Sequence, residues 1–146
     1  MSFVADCSVA MAWVLKDEAT PATDQILDLL GIGATAYVPS LWRWEISNFL
    51  LCAERRKRVT KAEAHAHLAH LNALPIEFDE TCQTQAWNTT HTLAQRHKLT
   101  SYDAAYLELA VRRGLPLASL DTALRAAAKS EKVAVLPEMC PRPGSV

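Results

Sequence analysis

Four acidic residues, far apart in the chain, stand where a carboxylate has little reason to be. Asp6 closes the apolar run Phe3-Val4-Ala5, and Asp121 closes the run Leu115 to Leu120. Glu45 lies inside the largely apolar stretch Leu41 to Leu51, and Asp103 opens the helical segment Tyr102 to Leu107. A carboxylate beside a core is unfavourable unless something pairs with it. If the fold gathers these four, no Lys or Arg of their motifs neutralises them. A hard divalent cation would, because Mg2+ and Mn2+ prefer oxygen ligands. The chemistry to expect is metal-dependent work on phosphates.

Each Asp taken singly has a plainer explanation. Asp6 and Asp121 could cap the helices that follow them. Asp103, three residues after Thr100, could occupy the third position of a capped helix and favour its dipole. Glu45 resists that treatment, because it borders the apolar stripe of its helix with Asn48 and Cys52 on its own face. Jointly, three Asp at strand ends or helix starts and a Glu at the core's edge point to a site.

The elements that would position these residues follow from periodicity. Short apolar runs predict strands over Phe3–Ala5, Ala36–Val38, Pro75–Phe78, Leu117–Ser119 and Val133–Leu136. Helices are predicted over Ser8–Leu15, Thr23–Leu30, Ser40–Arg58, Thr60 to about Leu71, Glu80–His97, Ser101–Arg113 and Thr122–Lys129. The stripe Trp42, Ile46, Phe49, Leu50, Ala53 marks the third helix, and Thr60 with Glu63 reads as a capping box. Strands alternating with helices imply an α/β class, with helices on both faces of a central parallel sheet of about five strands. Ligands of such sheets bind beyond the carboxyl ends of the strands, where Asp6 and Asp121 fall.

Bulk properties set the frame. The chain has 146 residues, half of them hydrophobic and 21% charged, which suits one domain with a real core, here taken as residues 1–140 with a loose tail over 141–146. A net charge of −1 gives no global attraction to nucleic acid, so any polyanion binding is local. Cys7, Cys52, Cys82 and Cys140 form no CxxC pair, which favours free thiols in a reducing cytoplasm over disulfides or a zinc site. No apolar run approaches the roughly 18 residues of a membrane span. His65, His67 and His70 read as a solvated helix face. Arg55, Arg56 and Arg58, with Lys57 between them, either complement a helix C-terminus or form a patch for RNA or an acidic partner. Trp44 alone of its helix's tryptophans lies off the apolar stripe, which marks it for partner contact.

Four segments in order carry a resemblance: Val4-Ala5-Asp6-Cys7-Ser8, Trp44-Glu45-Ile46-Ser47-Asn48, Leu99 to Ala110 around Asp103, and Gly114 to Asp121. Together they resemble the PIN-domain family, and their order and spacing are most similar to the VapC-type toxins of bacterial toxin–antitoxin pairs. The resemblance implies a PIN-like three-layer α/β/α fold. It implies a Mg2+- or Mn2+-dependent endoribonuclease held inactive by a cognate antitoxin, as a homodimer or a larger hetero-oligomer. Asp6, Glu45, Asp103 and Asp121 match the family's acidic quartet, as metal ligands and catalytic groups. Ser8 matches the small hydroxyl residue after the first Asp, Asn48 the polar residue one turn after the Glu, and Ser119 stands where Thr is frequent. These three would orient carboxylates or waters.

Other functions that use acids at strand ends fit less well. A haloacid-dehalogenase-like phosphatase wants a second Asp where Ser8 stands, and a receiver domain wants an acidic pair after the first strand and a Lys after the last. Within the PIN fold, a housekeeping RNA-processing nuclease and a binding module without turnover are the competing expectations.

Overall fold

The computed structural model describes residues 1–138. Among them, strands and helices follow in the order β1 (Phe3–Ala5), α1 (Cys7–Val14), α2 (Pro21–Gly31), β2 (Ala36–Pro39), α3 (Leu41–Arg55), α4 (Lys61–Asn72) and β3 (Ile76–Asp79). The chain continues through α5 (Cys82–Gln85), α6 (Thr89–His97), α7 (Ser101–Arg113), β4 (Leu117–Ala118), α8 (Thr122–Ser130) and β5 (Val135–Leu136). The expected domain end at 140 and the tail 141–146 lie outside the described residues. Among those described, no helix is long and apolar enough to cross a membrane.

The five strands form one all-parallel sheet in the order β3-β2-β1-β4-β5. Helices α1 to α4 pack on one another, as do α5 to α8, with α7 lying across β1, β2 and β4. Phe3, Val4 and Ala5 of the central strand are wholly inaccessible, which is why β1 reads as an unbroken apolar run rather than an alternating one. The α/β class and the central parallel sheet expected from the sequence are what the fold contains.

The strand order fixes where a ligand can sit. The chain moves outward from β1 to β2 and β3, then returns to the other side of β1 with β4. The connections after β1 and β4 therefore diverge, and a crevice opens between those two carboxyl ends. The register pairs Val4 with Leu117 and Ala5 with Ala118, so the next level sets Asp6 beside Ser119.

Local chemistry explains the helix ends. Thr20 caps α2 with Pro21 in the first helical position, and Thr60 and Glu63 bond reciprocally at the start of α4. Gly114, at φ +64°, ends α7 in the left-handed region, where a side chain would be strained. Two helices differ from expectation. The single helix predicted over Glu80–His97 is broken into α5 and α6 by a turn at Ala86-Trp87-Asn88. On either side of it the hydroxyls of Thr84 and Thr92 donate to the carbonyls of Thr81 and Asn88, which also accept the amides of the same threonines. The helix predicted to reach Arg58 stops at Arg55, because Lys57 turns left-handed and Arg58 folds back onto Asp17 and Glu18 at 3.0 and 2.9 Å.

Candidate active site

Asp6 leaves β1 and becomes the N-cap of α1, its Oδ1 accepting from the Val9 amide at 3.2 Å. Asp121 does the same for α8, accepting from the Leu124 amide at 2.8 Å. The plain capping explanation is thus correct for both, and it leaves room for a second role. Thr100 caps α7, and the Asp103 amide donates to its hydroxyl, so Asp103 sits in the first turn as expected.

Asp6 is 6% exposed, and both of its oxygens are held. The Ser8 hydroxyl donates to Oδ1 and the Ser119 hydroxyl to Oδ2, each at 2.5 Å. Each serine oxygen in turn accepts a backbone amide of the β4–α8 connection, Leu120 onto Ser8 at 2.9 Å and Asp121 onto Ser119 at 3.0 Å. The two serines brace the crevice across its width, with the Asp6 carboxylate as the common point.

Glu45 comes from α3 and is half-buried. The phenol of Tyr106, itself 1% exposed on α7, donates to Glu45 Oε1 at 2.6 Å and ties the two helices together at the site. The sequence reading missed Tyr106. A signal was present: it lies three residues after Asp103 on one helix face, and a buried tyrosine requires a partner for its hydroxyl. Asn48 is exposed, with no side-chain hydrogen bond among the described residues, and so is not seen to support Glu45.

The four acids feel one another. Burial raises the Asp6 pKa to about 6, against the hydrogen bonds of Ser119, Ser8 and Val9, and the charge of Asp103 raises it further. Burial likewise lifts Glu45, opposed by Tyr106 and reinforced by Asp103 and Asp6. Asp103 is lifted by burial and by Asp121, with the Thr100 hydroxyl working the other way. Asp103 is therefore the hub, coupled to each of the other three. Among the described residues, no ion pair engages any of the four. Cys7 lies in the same field: burial, then Glu45 and Asp6, push its thiol up to about 12, which favours the neutral thiol over the thiolate.

Among the described residues, no three His, Cys, Asp or Glu side chains stand together as a ready cage for an ion. The four acids lie within electrostatic reach of one another, but their side chains do not stand together as the shared ion positions expected from the sequence. Asp6, Asp121 and Glu45 each accept from a protein donor instead. The donor chemistry nevertheless fits a hard cation, being all oxygen and negative, at a crevice mouth.

Of the other expected residues, Trp44 is 78% exposed. Arg55 and Arg56 are exposed and unpaired among the described residues, whereas Arg58 is committed to Asp17 and Glu18 and lies over the Phe49 ring.

An all-parallel five-stranded sheet whose acids gather where the strand order reverses defines an α/β protein with its site at the carboxyl edge. Residues 3–130 match the family model of the PIN domain, and the chain belongs to the PIN-domain family. Three solved structures share the fold. PAE2754 from Pyrobaculum aerophilum is 24% identical with a TM-score of 0.67, over 92% of this chain and 83% of that one. VapBC2 from Rickettsia felis, bound to a DNA fragment from their promoter, is 13% identical with a TM-score of 0.63, over 92% and 97%. FitAcB from Neisseria gonorrhoeae is 17% identical with a TM-score of 0.63, over 94% and 98%. A comparison with curated proteins found no match.

Proposed function

We propose that this chain is a divalent-metal-dependent endoribonuclease and the toxin of a toxin–antitoxin pair. The observation that carries the reading is the cluster Asp6, Glu45, Asp103 and Asp121: mutually coupled carboxylates at the switch point of the sheet with no cation opposite them among the described residues. A protein that keeps such a cluster bears its repulsion for a reason, and membership in the PIN family supplies one.

Asp6, Asp103 and Asp121 would hold Mg2+ or Mn2+, with Glu45 completing the set or orienting water. The cation, when bound, would supply charge for the phosphate and acidify a water for in-line attack. Ser8 and Ser119 keep the Asp6 carboxylate from rotating, and Tyr106 does the same for Glu45. Asp103, the hub, would be the group most altered by cation binding.

A partner protein follows from the likeness to VapBC2 and FitAcB. The surface that could receive it is an apolar groove of about 740 Å3 between α1, α2 and α4, lined by Trp13, Leu27, Leu30, Ile32, Leu71 and Leu74. Trp44 and the basic run Arg55-Arg56 lie outside that lining, so they would serve a second contact: RNA, or another copy of the chain.

The deciding experiment is purified protein with Mn2+ and pooled RNA, beside Asp103→Asn. Cleavage by the wild type and its loss in the folded variant are expected. Equal cleavage by both would end the metal-nuclease reading, and folded wild type that binds RNA without turnover would establish a binding module instead. Co-expression with a cognate antitoxin should yield a complex that no longer cleaves.

A further inference from the structure

Arg125 is a buried cation with no carboxylate. It lies on α8, is 4% exposed, and among the described residues forms no ion pair. Its guanidinium donates to three backbone carbonyls: Nη1 to Ser119 at 2.9 Å, and Nη2 to Pro137 at 2.7 Å and Glu138 at 3.5 Å. A buried guanidinium is unfavourable unless its donors are met, and here backbone dipoles meet them.

The placement of those carbonyls matters. β4 and β5 pair through Leu117 and Ala118, and the ladder runs one step further, with the Ser119 amide donating to the Leu136 carbonyl at 3.0 Å. Arg125 then spans the Ser119 and Pro137 carbonyls, so its planar fork acts as one more rung beyond the last backbone bond. The residue so fixed is Ser119, whose hydroxyl holds Asp6 and accepts the Asp121 amide. A hydrogen-bonded path therefore runs from Pro137 and Glu138, through Arg125 and Ser119, to Asp6.

We infer that Arg125 is a positioning residue: it locks the β4–α8 connection from beneath, so that Ser119 presents its hydroxyl to Asp6, and it couples the chain after β5 to the site. Its contribution is geometric, because among the described residues its guanidinium donates only to main-chain carbonyls and reaches none of the four acids. The catalytic half of this inference rests on the nuclease reading; the structural half does not.

Two measurements on the full chain test it. The first is amide hydrogen exchange in the metal-free protein. Arg125→Met should speed exchange at Leu120 and Asp121 at least tenfold, while the amides of β1 and β2 keep wild-type protection. The second is a cycle with Ser119→Ala in the Mn2+-dependent RNA assay. Arg125→Met should lower kcat about tenfold with KM within twofold, the range seen when a ligand's supporting partner is removed. On the Ser119→Ala background the same substitution should change kcat less than twofold, because the two act along one path. Equal factors on both backgrounds, or unchanged exchange at Leu120 and Asp121, would overturn the inference. Arg125→Lys, which keeps the charge but reaches only one carbonyl, should reproduce a partial effect and serves as the primary variant where Arg125→Met does not fold. If Ser119→Ala and Asp103→Asn both cleave like wild type, the nuclease reading falls, and the exchange measurement alone decides the role of Arg125.

Discussion

The protein holds two clusters of buried and half-buried acids and treats them in opposite ways. At the switch point, Asp6, Glu45 and Asp103 are pushed up by burial and by each other, with only hydroxyls and amides for company. Around the end of β3, burial would also raise Asp79, but Arg112 and Arg113 outweigh it and hold its carboxyl well below the usual range. Asp79 and Glu108 are as buried as Asp6, at 3% and 2% exposed. Their oxygens are met by cations: Arg112 reaches Asp79 at 2.8 Å and Glu108 at 2.7 Å, and Arg113 reaches Asp79 at 2.7 Å while lying over the Tyr37 ring. Burial is therefore not what distinguishes the two clusters. The presence of the counter-charge is. The paired cluster ties β3 to α7 and has nothing left to bind, whereas the unpaired one keeps its charge available.

The largest expected effect breaks the comparison on the side of chemistry. Asp6→Ala and Asp103→Ala should reduce RNA cleavage roughly 10³-fold, several kcal/mol of transition-state stabilisation, in single-turnover assays on protein whose circular dichroism matches wild type. If capping were all that Asp6 did, its replacement would bring a stability loss of about 0.5–2 kcal/mol with turnover intact.

Arg112→Met attacks the other cluster. It leaves two buried carboxylates short of a cation and should destabilise the fold by about 3 kcal/mol in urea titrations, while the folded fraction cleaves at the wild-type rate. A loss of turnover without a loss of stability would erase the distinction between the clusters.

The two regions should also pull stability in opposite directions with pH. Asp6 has a folded pKa raised from 3.8 to about 6, so the folded state keeps the proton longer, and stability falls as pH rises through that window, by about 3 kcal/mol in all. Asp79 has a folded pKa below 3.8, so its contribution is present above that value and is lost as pH falls further. Urea midpoints measured with chelator should therefore decline between pH 4 and pH 6 in the wild type. The decline should shrink in Asp6→Asn and persist in Arg112→Met.

A divalent cation should sharpen the contrast. Mn2+ at about a hundred times its Kd would add about 2.7 kcal/mol, seen as a rise in Tm that NaCl at matched ionic strength does not give. Asp103→Asn should lose most of the rise. An undiminished rise in that variant would place the binding elsewhere.

The smallest expected effect is at the surface. Trp44→Ser should change stability by less than about 0.5 kcal/mol, because the side chain packs on little, yet weaken binding of RNA or self-association in sedimentation. No change in either would remove Trp44 from the interaction surface.

The sequence by itself determined the class of fold and which acids could matter. Unbroken apolar runs such as Phe3-Val4-Ala5 require a strand covered on both faces, and Thr60 with Glu63 writes a helix start in local code. These features are short-range, so spacing alone exposes them. The quartet was legible only jointly: Glu45 borders the apolar stripe of its helix, and the three Asp recur at strand ends or helix starts where each alone could be a cap or a first-turn residue. The break at Ala86-Trp87-Asn88 was hidden, because no Gly or Pro between Glu80 and His97 marks it in the sequence. Tertiary structure alone decided the partners: that Tyr106 on α7 meets Glu45 on α3, that Ser119 reaches Asp6 across the sheet, that Arg125 bridges Ser119 and Pro137, and that Asp79 meets two arginines while Asp6 meets none. Such pairings join residues far apart in the chain. Which acid keeps its charge free depends on the strand order, and no local pattern encodes that order.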